Sequence, residues 1–543
     1  MIDLNTRILK VNEKDNVAIA LNELRKGTHI QCDGETIELT ATIPQKHKFA
    51  CKSLDINDPV FMYGVLVGEV LKPIPKGGLL TTENIRHKTQ KVVGKNALWK
   101  WSPPDTKVWK SRTFMGYHRQ DGQVGTENIW LFFPLVFCEN RNIETLKTVF
   151  EKEFNPPEKE PLQKLLSELI RGKQPELDRV NEPANKSSKQ FENIKVRFIT
   201  HQGGCGGTRE DAQALARLLA GYVNNPNIAG ATVLSLGCQH LEIETFKSAL
   251  SKLQPNNQKP VLIFDQQTEG TVAAFLSKII KKSFVEIKKA NTIKRAPAPL
   301  SKLTIGLECG GSDGFSGITA NPTLGHVSDI LTALGGTTIL AEFPELTGVE
   351  QELANRCASE YLAQKFLNLM KAYETSAENV GSGFDMNPSP GNIKDGLITD
   401  AMKSAGAAKK AGNAPITNVL DYAEYASTPG VSLLCTPGND VESTTALAGS
   451  GATLILFTTG LGTPTGNPIT PVVKVSSNSQ LANKMNDLID FDCGTLINKK
   501  KNLQLLGEEL LEYLIKVASG EEIPKAVQLK QYDFIPWKRG VSL

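Results

Sequence analysis

From Lys195 onward, short apolar runs alternate with longer stretches of helical spacing, and glycine-rich polar loops join them. The pattern predicts strand Lys195–Thr200, helix Glu210–Tyr222, strands Ala231–Leu236 and Pro260–Asp265, and helix Thr271–Lys281. After a Lys/Pro/Ala connection, Lys294–Lys302, the scheme resumes. It gives strand Leu303–Leu307, helix Pro322–Leu334, strand Thr337–Glu342, one long helix from Val349 to about Tyr373, and strands Val431–Cys435 and Ala452–Thr458. Such alternation predicts parallel sheets covered by helices.

The first part of the chain has a different texture. Asp33-Gly34 separates Thr28–Gln31 from Thr36–Leu39, a hairpin signal, and Gly64, Gly68, Pro73, Pro75, Gly77 and Gly78 punctuate further short strands. The spacing predicts one helix here, Val17–Lys26. Trp99, Trp101 and Trp109 surround Pro103-Pro104 in a linker, where they pack it onto a domain surface or stack on a sugar. Glu151–Asn193, with an amphipathic piece Leu162–Ile170, reads as a solvated excursion. The fold class is therefore multidomain α/β: a small β-rich domain over residues 1–92, a linker over 93–113, and two α/β segments with mainly parallel sheets over 114–295 and 296–543.

Composition narrows the partners. The 543 residues carry 61 basic and 58 acidic side chains, so the net charge of +3 offers no footprint for nucleic acid or an anionic membrane surface. The start of the chain lacks a signal-peptide pattern, and apolar runs such as Ala452–Phe457 are too short to span a bilayer, so a cytoplasmic protein is expected. Nine dispersed cysteines argue for reduced thiols rather than a disulfide framework. A homo-oligomer is compatible with all of this.

Chemistry concentrates in the loops after strands. Gly306–Gly325, GLECGGSDGFSGITANPTLG, places Cys309, Ser312, Asp313 and Asn321 in one glycine-rich strand-to-helix connection suited to holding an oxyanion or a sugar acid. Cys205, Cys238, Cys309 and Cys435 each follow a predicted strand closely, which would bring thiols to one sheet edge. They are candidate metal ligands; each could instead be a small buried hydrophobe. His201, opening HQGGCGGTRE, is placed as a general base, a metal ligand or a core-edge histidine. Arg209 could clamp a carboxylate or stand solvated in a first helical turn. The run HRQDGQVGTEN sets Arg119, Asp121 and Asn128 around two glycines as a ligand loop or a plain turn. No phosphate-cradle or dinucleotide fingerprint occurs.

These motifs, with FMGYHRQDGQVGTEN, LSLGCQ, ILAEFPELTGVE, NPSPGN, TPGNDVESTTALAGSGA, LFTTGLGTPTGNP and DFDCGT, resemble the altronate/galactarate dehydratase family in one order along most of the chain after residue 113. The first 90 residues resemble that family's small SAF-type β domain. The resemblance implies an iron(II)-requiring hydro-lyase (another divalent metal or an iron–sulfur centre being the alternative cofactors) that converts altronate to 2-keto-3-deoxygluconate. On that reading, a base removes the C2 proton, a cation stabilises the enediolate and an acid protonates the leaving C3 hydroxyl. His201 or Asp313 would move the proton, Cys205, Cys238 and Cys309 would hold iron, and Arg119, Asn128, Arg209, Ser312 and Asn321 would hold the acid. Family members can show His-x-His-Asn near the end of the first domain; here Thr81-Thr82-Glu83-Asn84 stands there, so a metal in that domain would need Glu83 with His29 or His47. Galactarate dehydration, sulfite elimination from sulfolactate, and non-catalytic binding of a sugar acid are the competing readings.

Overall fold

Val17-Ala18-Ile19-Ala20 is buried at every position, and it forms a strand rather than the start of the expected helix. Two β-branched residues and a partner on each side override the helical spacing of the polar residues that follow. The computed structural model describes residues 7–154, 191–254, 259–497 and 501–542. In the N-terminal β domain, β1 (Ile8–Leu9), β2 (Val17–Ala20) and β5 (Lys48–Ala50) form one antiparallel sheet. The hairpin expected around Asp33-Gly34 is β3 (His29–Cys32) with β4 (Glu35–Glu38), and Asp33 takes the positive φ of 54° that the tight turn requires. A third sheet joins β6 (Pro59–Met62), β7 (Val65–Val70) and β8 (Ile85–Arg86).

The linker lies on the C-terminal part of the chain: Trp99 donates to the Asn413 carbonyl at 2.7 Å, and Trp109 is buried. Next, β9 (Thr113–His118) pairs with β10 (Val124–Gly125) and, across the chain, with β15 (Ala296–Pro299), so part of the Lys294–Lys302 connection is an edge strand. The first parallel sheet contains β11 (Ile129–Pro134), β12 (Lys195–Phe198), β13 (Ile228–Ser235) and β14 (Val261–Asp265) in the order β12-β11-β13-β14. Helix Asn140–Phe154 follows β11; the expected amphipathic piece Leu162–Ile170 lies outside the described residues.

The second parallel sheet is larger. Its strands are β16 (Thr304–Cys309), β17 (Thr337–Leu340), β18 (Ile416–Leu420), β19 (Gly430–Leu434), β20 (Leu454–Thr459), β21 (Val472–Ser476) and β22 (Phe491–Asp492). They run in the order β18-β19-β17-β16-β20-β21-β22, all parallel. The order reverses between β16 and β20, and open α/β sheets bind ligands beyond the strand carboxyl ends at such a point. The long helix expected after Val349 is two helices, Glu350–Arg356 and Glu360–Glu378. Cys357 between them pairs with Ile416 as an isolated parallel bridge, and the Ser359 hydroxyl caps the second helix.

The two sheets share one apolar core through helices Arg209–Asn224 and Asp440–Gly449. These cross at Gly221 and Gly449, where a Cβ on Gly221 would stand 2.0 Å from the Gly449 carbonyl oxygen. The strand-end cysteines therefore divide between two edges. Cys205 and Cys238 follow strands of the smaller sheet, whereas Cys309 ends β16 and Cys435 directly follows β19 of the larger one, which corrects the expectation of a single thiol-bearing edge.

Candidate functional site

At the reversal point of the larger sheet, β16 ends in Glu308 and Cys309, both buried. The chain leaving β17 turns at Glu342, whose φ of 69° is left-handed and uncommon for a residue with a side chain. That turn aims the Glu342 carboxylate back across β16. Glu342 Oε2 accepts from the Cys309 backbone N–H at 3.2 Å and from Lys410 Nζ at 3.1 Å. Lys410 also donates to Cys309 Sγ at 2.8 Å, and the thiol in turn donates to Glu345 Oε2 at 2.9 Å. Lys403 closes the far side with an ion pair to Glu345 at 2.6 Å. Ser443, in the helix Asp440–Gly449, donates to Glu308 at 2.5 Å.

Acids outnumber bases here: Glu308, Glu342, Glu345 and Asp440 face Lys403, Lys410 and Lys474. Burial and the neighbouring Glu342 push the Glu308 carboxyl well up, and burial with Glu345 raises Glu342. Burial, then Glu342 and Glu345, bring Asp440 up to about 7. Burial alone would lower Lys410, but the adjoining Cys309 and Glu342 hold its proton far more firmly than an ordinary lysine's. Glu345 goes the other way: burial would raise it, and Lys403 and Lys410 keep it low. Glu308 Oε1 and Glu342 Oε1 are buried oxygens without a hydrogen-bond donor. Buried carboxylates this close need a shared proton or a cation.

The donor set suits a divalent metal. The ligand atoms of Cys309, Glu342 and Glu345 lie within 4.8 Å of one another, as do those of Glu308, Glu342 and Asp440, and Glu342 belongs to both sets. Carboxylates with one thiol are compatible with a borderline cation such as iron(II). A glycine gives the acids room: a Cβ on Gly310 would stand 2.1 Å from Asp440 Oδ2.

The floor of the site is buttressed from several directions. Asp313, fully buried, accepts from Ser316, from Ser477 at 2.7 Å and from Asn478 at 3.1 Å, and pairs with Lys46 of the N-terminal domain at 3.0 Å. Beside it, Lys48 donates to the Gly396 carbonyl at 2.5 Å. Asn392 of the NPSPGN run donates to the Ser312 carbonyl at 2.7 Å, and Thr458 at the end of β20 donates to Asn321 at 2.8 Å.

Comparison with known proteins matches all three parts. The model for "Altronate/galactarate dehydratase SAF domain" matches residues 6–88. That for "D-galactarate dehydratase/Altronate hydrolase, second domain" matches 116–291, and that for "D-galactarate/Altronate dehydratase, C-terminal" matches 300–542. An altronate dehydratase of Bacillus subtilis is 35% identical over 94% of this chain and 95% of its own length. This chain belongs to the altronate/galactarate dehydratase family. An Escherichia coli altronate dehydratase is 33% identical over 95% of each chain, and the E. coli galactarate dehydratase (L-threo-forming) is 29% identical over 95% of this chain and 93% of its own. The chain is thus a hydro-lyase, built as a SAF domain followed by α/β parts with parallel sheets. Among the described residues, no helix is long and apolar enough to cross a membrane.

In this family member the structure distributes the residues singled out from sequence over three places. Cys309, Ser312, Asp313 and Asn321 meet at the reversal point of the larger sheet. His201, Cys205, Arg209 and Cys238 lie at the carboxyl edge of the smaller sheet, where a cavity of about 520 Å³ is lined by His201, Cys205 and His240. Arg209 opens its helix exposed, and Cys238 is exposed. Arg119 and Asn128 sit before the first residue of β11, at the opposite edge from the strand carboxyl ends. They spend their polar atoms internally: Arg119 donates to Asn128 at 2.9 Å, and Asn128 donates to the Asn193 and Ala290 carbonyls. Glu308, Glu342, Glu345, Lys403, Lys410 and Asp440 were not singled out from sequence. For Glu342 a signal existed, an acid placed directly after an apolar strand within ILAEFPELTGVE.

His201 is committed to the backbone on both sides. Its Nδ1 accepts from the Gly203 N–H at 3.1 Å, so Nε2 carries the hydrogen and donates to the Pro134 carbonyl at 2.8 Å. Burial lowers its pKa from 6.5 to about 4. The unfolded chain therefore takes up this proton first, and stability falls as pH drops from about 6.5 to about 4, by up to roughly 3 kcal/mol. Urea midpoints measured across that window should slope accordingly, and His201→Gln should flatten the slope.

Proposed function

We propose that this hydro-lyase dehydrates a sugar acid, D-altronate, to 2-keto-3-deoxy-D-gluconate at the carboxyl edge of the seven-stranded sheet. The observation that carries the reading is the buried cluster around Glu342, where unpartnered carboxylate oxygens and a thiol converge at the reversal point. Full-length similarity to altronate dehydratases supports the choice of substrate.

Cys309, Glu342 and Glu345, with Glu308 alongside, would hold the divalent cation, iron(II) in this reading. When bound, such an ion supplies positive charge that stabilises the enediolate formed at C1 and C2. Asp440 and Lys403 are the titratable groups on the cluster's half-buried rim, so substrate meets them first. Asp440 is the carboxylate on that rim, and it accepts the C2 proton. Lys403 keeps its proton because Glu345 outweighs the effect of burial, and it delivers that proton to the C3 hydroxyl as water leaves. Ser312 lies on the same floor and orients the acid. Asp313 positions the loop through Lys46, Ser477 and Asn478 rather than exchanging protons itself.

Chelator-stripped enzyme should lose altronate turnover, and Fe2+ should restore it. Side-by-side rates should favour altronate over galactarate and sulfolactate. Full activity of metal-free enzyme, or faster turnover of either other acid, would contradict the proposal.

A further inference from the structure

The N-terminal domain holds a pair of reactive groups that the proposed reaction does not use. Cys32 ends β3 and Cys51 follows β5 directly, 19 residues on, yet their sulfurs approach to 3.2 Å. A disulfide needs about 2.05 Å between sulfurs, so closure asks for a shift of only roughly 1.2 Å. Cys32 itself forms part of the wall of a cavity of about 330 Å³, together with Lys10 and Asp33 of its own domain and Ile318 and Thr319 of the loop after β16. Cys51 is half-buried.

We propose that Cys32 and Cys51 form a reversible dithiol–disulfide couple, oxidised by peroxides, that ties the β3–β4 hairpin to β5, which begins at Lys48 just after the turn holding Lys46. Burial of Cys32 behind a small cavity selects a small oxidant over bulky disulfides. The hydrogen bond from Cys51 draws the Cys32 thiol down from its ordinary value, and Lys10 adds to this, so Cys32 is the attacking thiolate. It attacks one peroxide oxygen; the O–O bond breaks, hydroxide leaves and takes up a proton, and Cys32 becomes a sulfenic acid. Cys51 then attacks the Cys32 sulfur, the S–O bond breaks, and the hydroxyl departs as water with the Cys51 proton. Two thiols are oxidised and one peroxide is reduced to two waters.

The bond would lie at the domain contact. Lys46 and Lys48 flank the start of β5 and reach Asp313 and Gly396, while Cys51 follows its end, so the disulfide fixes both sides of the strand that latches the domain onto the site floor.

The test treats the full-length protein with hydrogen peroxide, alkylates free thiols and maps peptides without reductant. A Cys32–Cys51-linked peptide that dithiothreitol removes is expected, together with a raised thermal midpoint of the oxidised protein. Cys51→Ser should form no link and should carry Cys32 on to the sulfinic acid, with Cys32→Ser as the reciprocal control. Recovery of both alkylated thiols under conditions that oxidise the exposed Cys238, or a link from Cys32 to any other cysteine, would overturn the proposal.

Discussion

Replacing Glu342 by glutamine should cut altronate turnover at least about 100-fold and remove bound iron in parallel, because one charge serves the whole cluster. Glu342 is the member common to both potential ligand sets, and its Oε2 already gathers the Cys309 N–H and the Lys410 ammonium. Glutamine keeps the volume and an acceptor oxygen but removes the negative charge that a cation requires. The left-handed backbone at this position is imposed by the β17 turn and persists in the variant, so the fold should be retained. Iron content per chain and turnover, measured on one preparation with unchanged circular dichroism, check the result. Near-native turnover with iron retained would assign the chemistry elsewhere.

Lys410→Met should destabilise the protein by about 3–5 kcal/mol, the usual effect of leaving a buried charge without its partner. Lys410 is 0% exposed, and its ammonium spans Cys309 and Glu342. Methionine fills the space but leaves those acids to share protons among themselves. The loss should show as a lower thermal midpoint, by on the order of 10 °C for a domain of this size. It should also grow with pH above neutrality, as the unpaired carboxyls are forced to ionise. A midpoint equal to that of the natural chain would mean that the acids are already neutral with Lys410 present.

The strands around this site were legible because each is a short apolar run closed by glycine or a polar turn; β16, β17, β19 and β20 fall where that pattern puts them. Cys309 stood out because glycines, not core residues, follow it. Lys410 was hidden for the opposite reason. The local sequence AAKKAG reads as an ordinary solvated stretch, and only the packing of that turn over the end of β16 buries one lysine while leaving Lys409 partly exposed. Lys46 was equally illegible, since its partner Asp313 belongs to another domain and no local pattern encodes that meeting. His201 stands after a strand end, a place suited to proton transfer, and backbone hydrogen bonds engage both of its ring nitrogens, which no local pattern encodes. The helix expected over Val17–Lys26 failed because spacing carries no information about the strands waiting on either side.

The most direct test of the account is anomalous diffraction at the iron edge from crystals of the full chain grown with Fe2+ under reducing conditions. One strong peak is expected between Cys309 and Glu342, with Glu345 in its coordination. A peak at Cys205 and His201 beside the smaller sheet, with none at Glu342, would contradict it.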